Sequence, residues 1–138
     1  MRKTVTLFAT TALALTLASG TASATPGSGV AGTILAQKTI GHTDYTLREI
    51  TVQPGGYTGW HFHDGTLYAY VKAGTLTHNL ADCSIDGIFA AGRAFTEKPD
   101  QVHIGRNLGT TPLVLEVLYV LPAGSPLSED APDPGCGF

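Results

Sequence analysis

Hydrophobic and polar residues alternate in short segments from about residue 30 onward, and glycine, proline and aspartate separate these segments. Such alternation is typical of β-strands with one buried face. No convincing amphipathic helix interrupts the pattern. The many closely spaced strands therefore predict an all-β domain, either a sandwich or a closed antiparallel barrel. The predicted strands are residues 30–40, 45–53, 58–63, 67–72, 75–80, 85–89, 93–97, 102–106 and 113–121.

The pattern also predicts which strand faces are buried. Residues 30–40 and 45–53 should be half-buried, and the Pro-Gly-Gly at 54–56 should form a turn between strands. Tyr68 and Tyr70 share one face of their strand, where we expect core or interface packing.

The N-terminal segment differs from the rest of the chain. Arg2 and Lys3 precede an apolar run that ends in Ala22-Ser23-Ala24, a pattern that signal peptidases accept. Residues 1–24 are therefore predicted to be a signal peptide of a secreted protein. The alternative is an uncleaved anchor, although the run is shorter than the roughly 20 residues of a membrane span. Cleavage would leave no stably inserted membrane segment.

The predicted mature chain has one domain. Residues 25–29 form a linker, residues 30–123 the barrel, and residues 124–138 a tail rich in proline and glycine. Removing Arg2 and Lys3 changes the formal charge from −3 to −5. An acidic domain with few basic residues is a poor candidate for binding nucleic acid.

Cys83 and Cys136 are the two cysteines of the chain. An even pair in a secreted protein predicts a disulfide, which would tie the tail to the middle of the domain. The alternative is a pair of metal thiolates, but no C-x-x-C spacing supports it.

His61 and His63 are two residues apart on a predicted strand. Side chains at i and i+2 point to the same side, so both imidazoles can converge on one cation. The intervening Phe62 should then face the opposite side, into packing. A second stretch of sequence supplies a third histidine, His103.

Both stretches resemble the two motifs of the cupin superfamily. The first motif, G-x5-H-x-H-x3,4-E-x6-G, corresponds to residues 55–74, and the second, G-x5-P-x-G-x2-H-x3-N, to residues 92–107. Three positions depart from the family pattern. Leu67 stands where the first motif has its metal-binding glutamate, Lys98 replaces the proline, and Asp100 replaces the following glycine.

The resemblance implies a jelly-roll barrel that holds one divalent metal ion with His61, His63 and His103. Imidazole ligands suit Fe, Zn, Ni and Cu alike, and Mn also remains open, so the sequence does not distinguish the metal; iron(II) is slightly favoured. Without the glutamate, three neutral ligands leave the ion its full charge and open positions.

Four further residues are candidates around the metal. Glu97 would orient a ligand or water, act as a base, or bind the metal in place of the missing glutamate; alternatively it is simply solvated. Leu67, Arg93 and Phe95 are candidate substrate-pocket residues, with Arg93 meeting an anionic substrate or pairing with Glu97. His42 and His78 are interpreted as turn residues without a role.

Two functional classes follow from the resemblance. The first is a metal-dependent dioxygenase acting on a small organic molecule, whereas a zinc or manganese ion would imply isomerase or lyase chemistry. The second is a non-catalytic extracellular protein that binds a metal or small ligand. Cupins often pair through a sheet edge, so a homodimer is also expected.

Overall fold

The computed structural model describes residues 25–138, so the predicted signal peptide lies outside the described residues. Within this range there is no helix, and hence none long and apolar enough to cross a membrane. The chain forms ten strands: β1 (Ser28–Ile40), β2 (Thr43–Tyr57), β3 (His61–Phe62), β4 (Thr66–Ala73), β5 (Thr75–Leu80), β6 (Ile85–Ala90), β7 (Ala94–Glu97), β8 (His103–Arg106), β9 (Leu113–Pro122) and β10 (Glu129–Asp130).

The strands form two antiparallel halves that are joined into one curved sheet. One half has the order β7-β4-β9-β2-β1, and the other has the order β10-β3-β8-β5-β6. The pairing of Tyr57 on β2 with Arg106 on β8 joins them. This arrangement confirms the predicted antiparallel barrel of jelly-roll type.

The main core lies between the two halves and follows the alternation read from the sequence. On β4, Leu67, Ala69 and Val71 are buried, and every second residue of β9 from Leu113 onward is buried as well. Tyr68 and Tyr70 lie on the outer face of β4 and are exposed. The core alternative for these tyrosines was therefore wrong, and the interface alternative stays a prediction.

The strand β1 also departs from its predicted burial. All thirteen of its residues are exposed, although it pairs with β2 over most of its length. An alternating sequence identifies a strand correctly, but burial of its apolar face requires a layer on that side. Among the described residues, β1 pairs only with β2 and leaves its other edge uncovered.

The boundaries of two predicted strands change. Residues 54–56 do not separate strands but lie within β2, where Gly55 has a φ of +76° and bends the strand. The predicted strand 58–63 shrinks to the two residues of β3. This short strand pairs with β8, and the chain packed behind it gives further support.

The C-terminal tail supplies that support. β10 pairs with β3, and Ala131 N–H donates a hydrogen bond to the Trp60 carbonyl. Ala131 is buried in a second small core with Trp60 and Ile104, on the side of β3 away from the main core. The predicted disulfide between Cys83 and Cys136 is present, with a Cα–Cα distance of 5.4 Å, and it fastens the tail. The tail therefore has an ordered role that its composition did not indicate.

Candidate metal centre

Three histidines converge inside the barrel, as the motifs predicted. His61 on β3 lies directly opposite His103 on β8, and His63 follows β3 by one residue. One nitrogen of each ring lies within 4.8 Å of the other two. Phe62, between the two β3-region histidines, packs on the second core instead. The H-x-H spacing thus places both rings in the cavity.

Each of these three rings is oriented by a backbone carbonyl. The Nδ1 atoms of His61, His63 and His103 lie 2.9, 2.6 and 2.7 Å from the carbonyl oxygens of Gly59, Leu127 and Gln101, respectively. A carbonyl only accepts hydrogen bonds, so each Nδ1 carries the proton and each Nε2 keeps its lone pair. Metal-binding histidines are held in this way in proteins.

Three buried ring nitrogens of the cluster have no hydrogen-bond partner among the described residues, and they belong to two of these histidines and to His78. Within residues 25–138, the Nε2 atoms of His63, His78 and His103 are buried and unpaired. Leaving a buried polar atom unpaired costs about 1–3 kcal/mol, so three in one cavity are unusual. A divalent cation accepts lone pairs from such nitrogens, and this donor set therefore fits a metal ion.

Glu97 brings a carboxylate to the same point from another strand. Glu97 on β7 is the register partner of Leu67 on β4, the position where the cupin motif has its glutamate. Glu97 Oε2 lies 3.2 Å from His63 Nε2 and 3.4 Å from His103 Nε2. Ligand atoms bound tetrahedrally at about 2.1 Å are separated by about 3.4 Å. These distances suit Glu97 as a ligand, and that role remains a prediction.

His78 is the residue that sequence reasoning missed. It was interpreted as a turn residue, but it lies on β5 with its side chain only 2% exposed. Its Nδ1 is 3.0 Å from Asp86 Oδ2, and its Nε2 is 3.6 Å from Glu97 Oε1. Strand alternation was the available indication, because side chains at i and i+2 share a face. Leu76 and His78 therefore point to the same side of β5, and Leu76 lines the cavity.

Burial and mutual charge determine the protonation of the metal-free cluster. Burial, reinforced by His103, lowers the pKa of His61 to about 3. Burial alone would raise the pKa of Glu97, but interactions with His103 and His63 outweigh it and hold that pKa well below its usual range. Burial would lower the pKa of His103, yet Glu97 raises it overall. The cluster therefore holds one anionic carboxylate among imidazoles.

The cavity is small and opens into a larger pocket. Its volume is about 40 Å³, which is enough for an ion and about one water molecule. The lining apart from the cluster is largely aliphatic and includes Ile50, Leu67, Leu76, Leu115 and Val117. A pocket of about 200 Å³ shares His61, His63 and Tyr119 with this cavity, and its other lining residues include Arg48, Ser128 and Asp130.

The structure separates the predicted pocket residues. Leu67 lines the cavity, but Arg93 is exposed in the turn before β7 and does not. Phe95 does not line the cavity either; it packs on the main core and stacks on Phe89. The assignments of Arg93 and Phe95 to the pocket wall are corrected accordingly. Alternation along the predicted strand 93–97 had placed Arg93 on the same face as Glu97. However, β7 begins only at Ala94, so the alternation does not extend to Arg93.

The second motif keeps its turn despite its departures. Asp100 occupies the glycine position with a φ of +59°, a conformation that aspartate adopts more readily than most residues. Its N–H donates a 2.9 Å hydrogen bond to the His63 carbonyl. The substituted turn therefore still connects the two motifs and fixes the backbone of a histidine in the cluster.

Comparison with known proteins agrees with this geometry. The cupin domain family matches residues 48–121, which is more than half of the chain. The chain belongs to the cupin family. No curated protein sequence matches this cupin significantly.

Solved structures similar to this cupin share its fold. A cupin domain from Bordetella pertussis Tohama I has 22% identity and a TM-score of 0.57, and the match covers 70% of this chain and 95% of that one. The polyketide cyclase RemF from Streptomyces resistomycificus has 20% identity and a TM-score of 0.60, with 80% and 79% covered. A cupin-2 domain from Rhodospirillum rubrum has 17% identity and a TM-score of 0.61, with 75% and 66% covered. At these identities the likeness concerns the fold alone.

Proposed function

We propose that this cupin binds one divalent metal ion through His61, His63 and His103 and acts there on a small organic molecule. The observation that carries the proposal is the common orientation of the three rings. Each has its Nδ1 proton directed at a backbone carbonyl, which leaves its Nε2 lone pair for a shared cation.

The proposed ion would supply Lewis acidity and, if it is iron(II), a site for dioxygen, as in a mononuclear non-haem oxygenase. Glu97 Oε2 is near enough to serve as a fourth ligand, and its charge would reduce the net charge of the centre from +2 to +1. Leu67, Leu115 and Val117 would exclude water from one side of the substrate.

Arg48, in the pocket at the mouth of the cavity, supports an anionic substrate, and Asp130 lines the same pocket. Arg48 lines this pocket beside His61 and His63, and no carboxylate of residues 25–138 lies within 4 Å of its guanidinium nitrogens. A guanidinium binds a carboxylate through two parallel hydrogen bonds. Arg48 therefore takes the part that the sequence had suggested for Arg93, and small carboxylic acids are the first class to test.

Two further proposals concern the whole protein. We propose that it is secreted after cleavage behind Ala24, and the disulfide is consistent with an oxidising compartment.

We also propose a homodimer, supported by the long β1, whose exposed residues include Ile34, Leu35 and Ile40. Light scattering of the mature protein measures the dimer directly, and a monomer at micromolar concentration would contradict it.

Metal analysis of the purified mature protein tests the proposed centre. We expect one equivalent of a divalent metal in the parent protein. His61→Ala should lower the affinity more than about 100-fold, because loss of a ligand should exceed the 10–100-fold effect of losing a supporting residue. His42→Ala is the matched control, since His42 is exposed. Unchanged affinity in His61→Ala would show that His61 is not a ligand.

Oxygen consumption separates the two functional classes. Substrate-dependent uptake by the iron-loaded protein, with small carboxylic acids as the first panel, would support an oxygenase. Stoichiometric metal with no turnover across broader panels favours the second candidate, a non-catalytic extracellular binder. Secretion is the observation that would favour this candidate, since iron(II) oxidises readily outside the cell.

A further inference from the structure

A second group of possible ligands overlaps the three-histidine set. His78, Glu97 and His103 each offer one ligand atom, and these atoms lie within 4.8 Å of one another. The group combines β5, β7 and β8, whereas the motif histidines come from β3, β8 and the turn after β3. The two sets share His103, so the five side chains form one continuous group of donors inside the barrel.

The His78 ring is prepared for metal binding in the same way as the motif histidines. Asp86 Oδ2 lies 3.0 Å from His78 Nδ1, and an ionised carboxylate only accepts hydrogen bonds. The proton is thereby placed on Nδ1, and Nε2 lies 3.6 Å from Glu97 Oε1. A carboxylate–histidine–metal arrangement of this kind fixes both the tautomer and the ring of a ligand.

A purely structural ion pair explains this geometry less well. The pair with Asp86 satisfies only one ring nitrogen, Nδ1, and Asp86 is 42% exposed. His78 itself is 2% exposed, so water does not reach its other nitrogen. His78 Nε2 is buried, has no hydrogen-bond partner within residues 25–138, and lies 3.6 Å from Glu97 Oε1, too far for a hydrogen bond. A cation between the two atoms would satisfy both.

We propose that His78, Glu97 and His103 form a second metal position, which one divalent ion occupies in alternation with the three-histidine position. The proposal rests on the proposed metal-binding function. His103 Nε2 has a single lone pair and cannot bind two ions, so the two positions exclude each other. The barrel then holds one ion with five candidate ligands. When one position is lost, the ion still binds at the other.

Cobalt(II) titration of the full mature protein tests this alternation. The visible spectrum of cobalt(II) reports its coordination, and the titration gives affinity and stoichiometry without any substrate. The variants are His61→Ala, His78→Ala and the double variant, with His42→Ala as the control. In a parent background that uses the three-histidine position, we expect His78→Ala to change affinity less than about threefold.

The decisive result is the effect of His78→Ala when His61 is already replaced. The His61→Ala protein should keep one weaker cobalt site with an altered spectrum, and adding His78→Ala should weaken that site at least tenfold. Equal effects of His78→Ala in both backgrounds, or no effect in either, would overturn the second position. Failure of the parent protein to bind cobalt would instead overturn the proposed function together with it.

Asp86→Asn provides a variant with little risk to folding, because the Asp86 side chain is 42% exposed and asparagine keeps its shape. Asparagine removes the charge that orients His78, and in the His61→Ala background it should weaken cobalt binding about 10–100-fold. In the parent background the same change should have little effect. Circular dichroism confirms that each variant is folded, and no loss in the His61→Ala background would count against the proposal.

Discussion

The two walls of the cavity contrast in what they contribute. The aliphatic wall, formed by Ile50, Leu67, Leu115 and Val117, comes from the long strands β2, β4 and β9, and it belongs to the main core. The imidazole wall, formed by His61, His63 and His103, comes from a two-residue strand, a four-residue strand and the turn between β3 and β4. Stability and chemistry are therefore placed on opposite sides of one cavity.

The support behind each wall differs accordingly. The aliphatic wall is held by extended ladders, such as the ten-residue register between β2 and β9. The imidazole wall is held from behind by the tail. The Leu127 carbonyl accepts a hydrogen bond from His63 Nδ1–H, and β10 pairs with β3. The lesson is that a site with unpaired buried nitrogens needs a rigid backing, because its own side chains add little to folding.

The largest expected effect is on the aliphatic wall. Leu115→Ala should lower the free energy of unfolding by about 2–5 kcal/mol, because it removes a buried side chain and leaves a cavity. Denaturant unfolding of the metal-free protein measures the change. Leu118→Ala on the outer face of β9 is the matched control and should cost clearly less. Equal losses in the two variants would contradict the assignment of this wall to the core.

The imidazole wall should destabilise the metal-free protein in acid. The pKa of His61 is about 3 in the folded state, against an ordinary value of 6.5. As the pH falls through 6.5, His61 binds a proton in the unfolded chain but not in the folded protein. The stability that His61 contributes is therefore complete above pH 6.5 and is lost toward pH 3. The full shift is worth no more than about 5 kcal/mol at 1.36 kcal/mol per pKa unit, and solvent access reduces it to a few.

Other groups of the cluster modify this pH dependence. The lowered pKa values of His78 and Glu97 act in the same direction, whereas the raised pKa of His103 adds stability at low pH that is lost as pH rises. Denaturant unfolding at pH 7.5, 5.5 and 4 measures the net slope. His61→Leu should flatten it, and an equally steep profile in that variant would refute the role given to His61.

The smallest expected effect concerns the carboxylate between the walls. Glu97→Gln keeps the shape of the side chain but removes its charge, and it should weaken divalent metal binding about 10–100-fold, equivalent to about 1.4–2.7 kcal/mol. Calorimetric titration with zinc measures the affinity. Glu116→Gln on the outer face of β9 is the control, since the one ion pair of Glu116 within residues 25–138 is with the exposed Lys72. Unchanged affinity in Glu97→Gln would place Glu97 outside the ligand set.

Strand alternation and motif spacing predicted the fold and the three converging histidines. These predictions succeeded because i and i+2 residues of a strand share a face, a local property of the chain. The burial of β1 was predicted wrongly, since alternation shows that a strand has an apolar face but not that another layer covers it. The pocket role of Arg93 failed because strand alternation does not show where a short strand begins. Phe95 does lie on β7, but it packs on the main core and on Phe89.

The sequence by itself determined the strand pattern, the paired cysteines and the Leu67 substitution that removes the motif glutamate. Only the tertiary structure decided that Glu97 lies opposite Leu67, that His78 lies beside Glu97, and that the tail orients His63. These three contacts join residues of different strands or of strand and tail. Register and barrel closure create them, and both depend on packing along the whole chain.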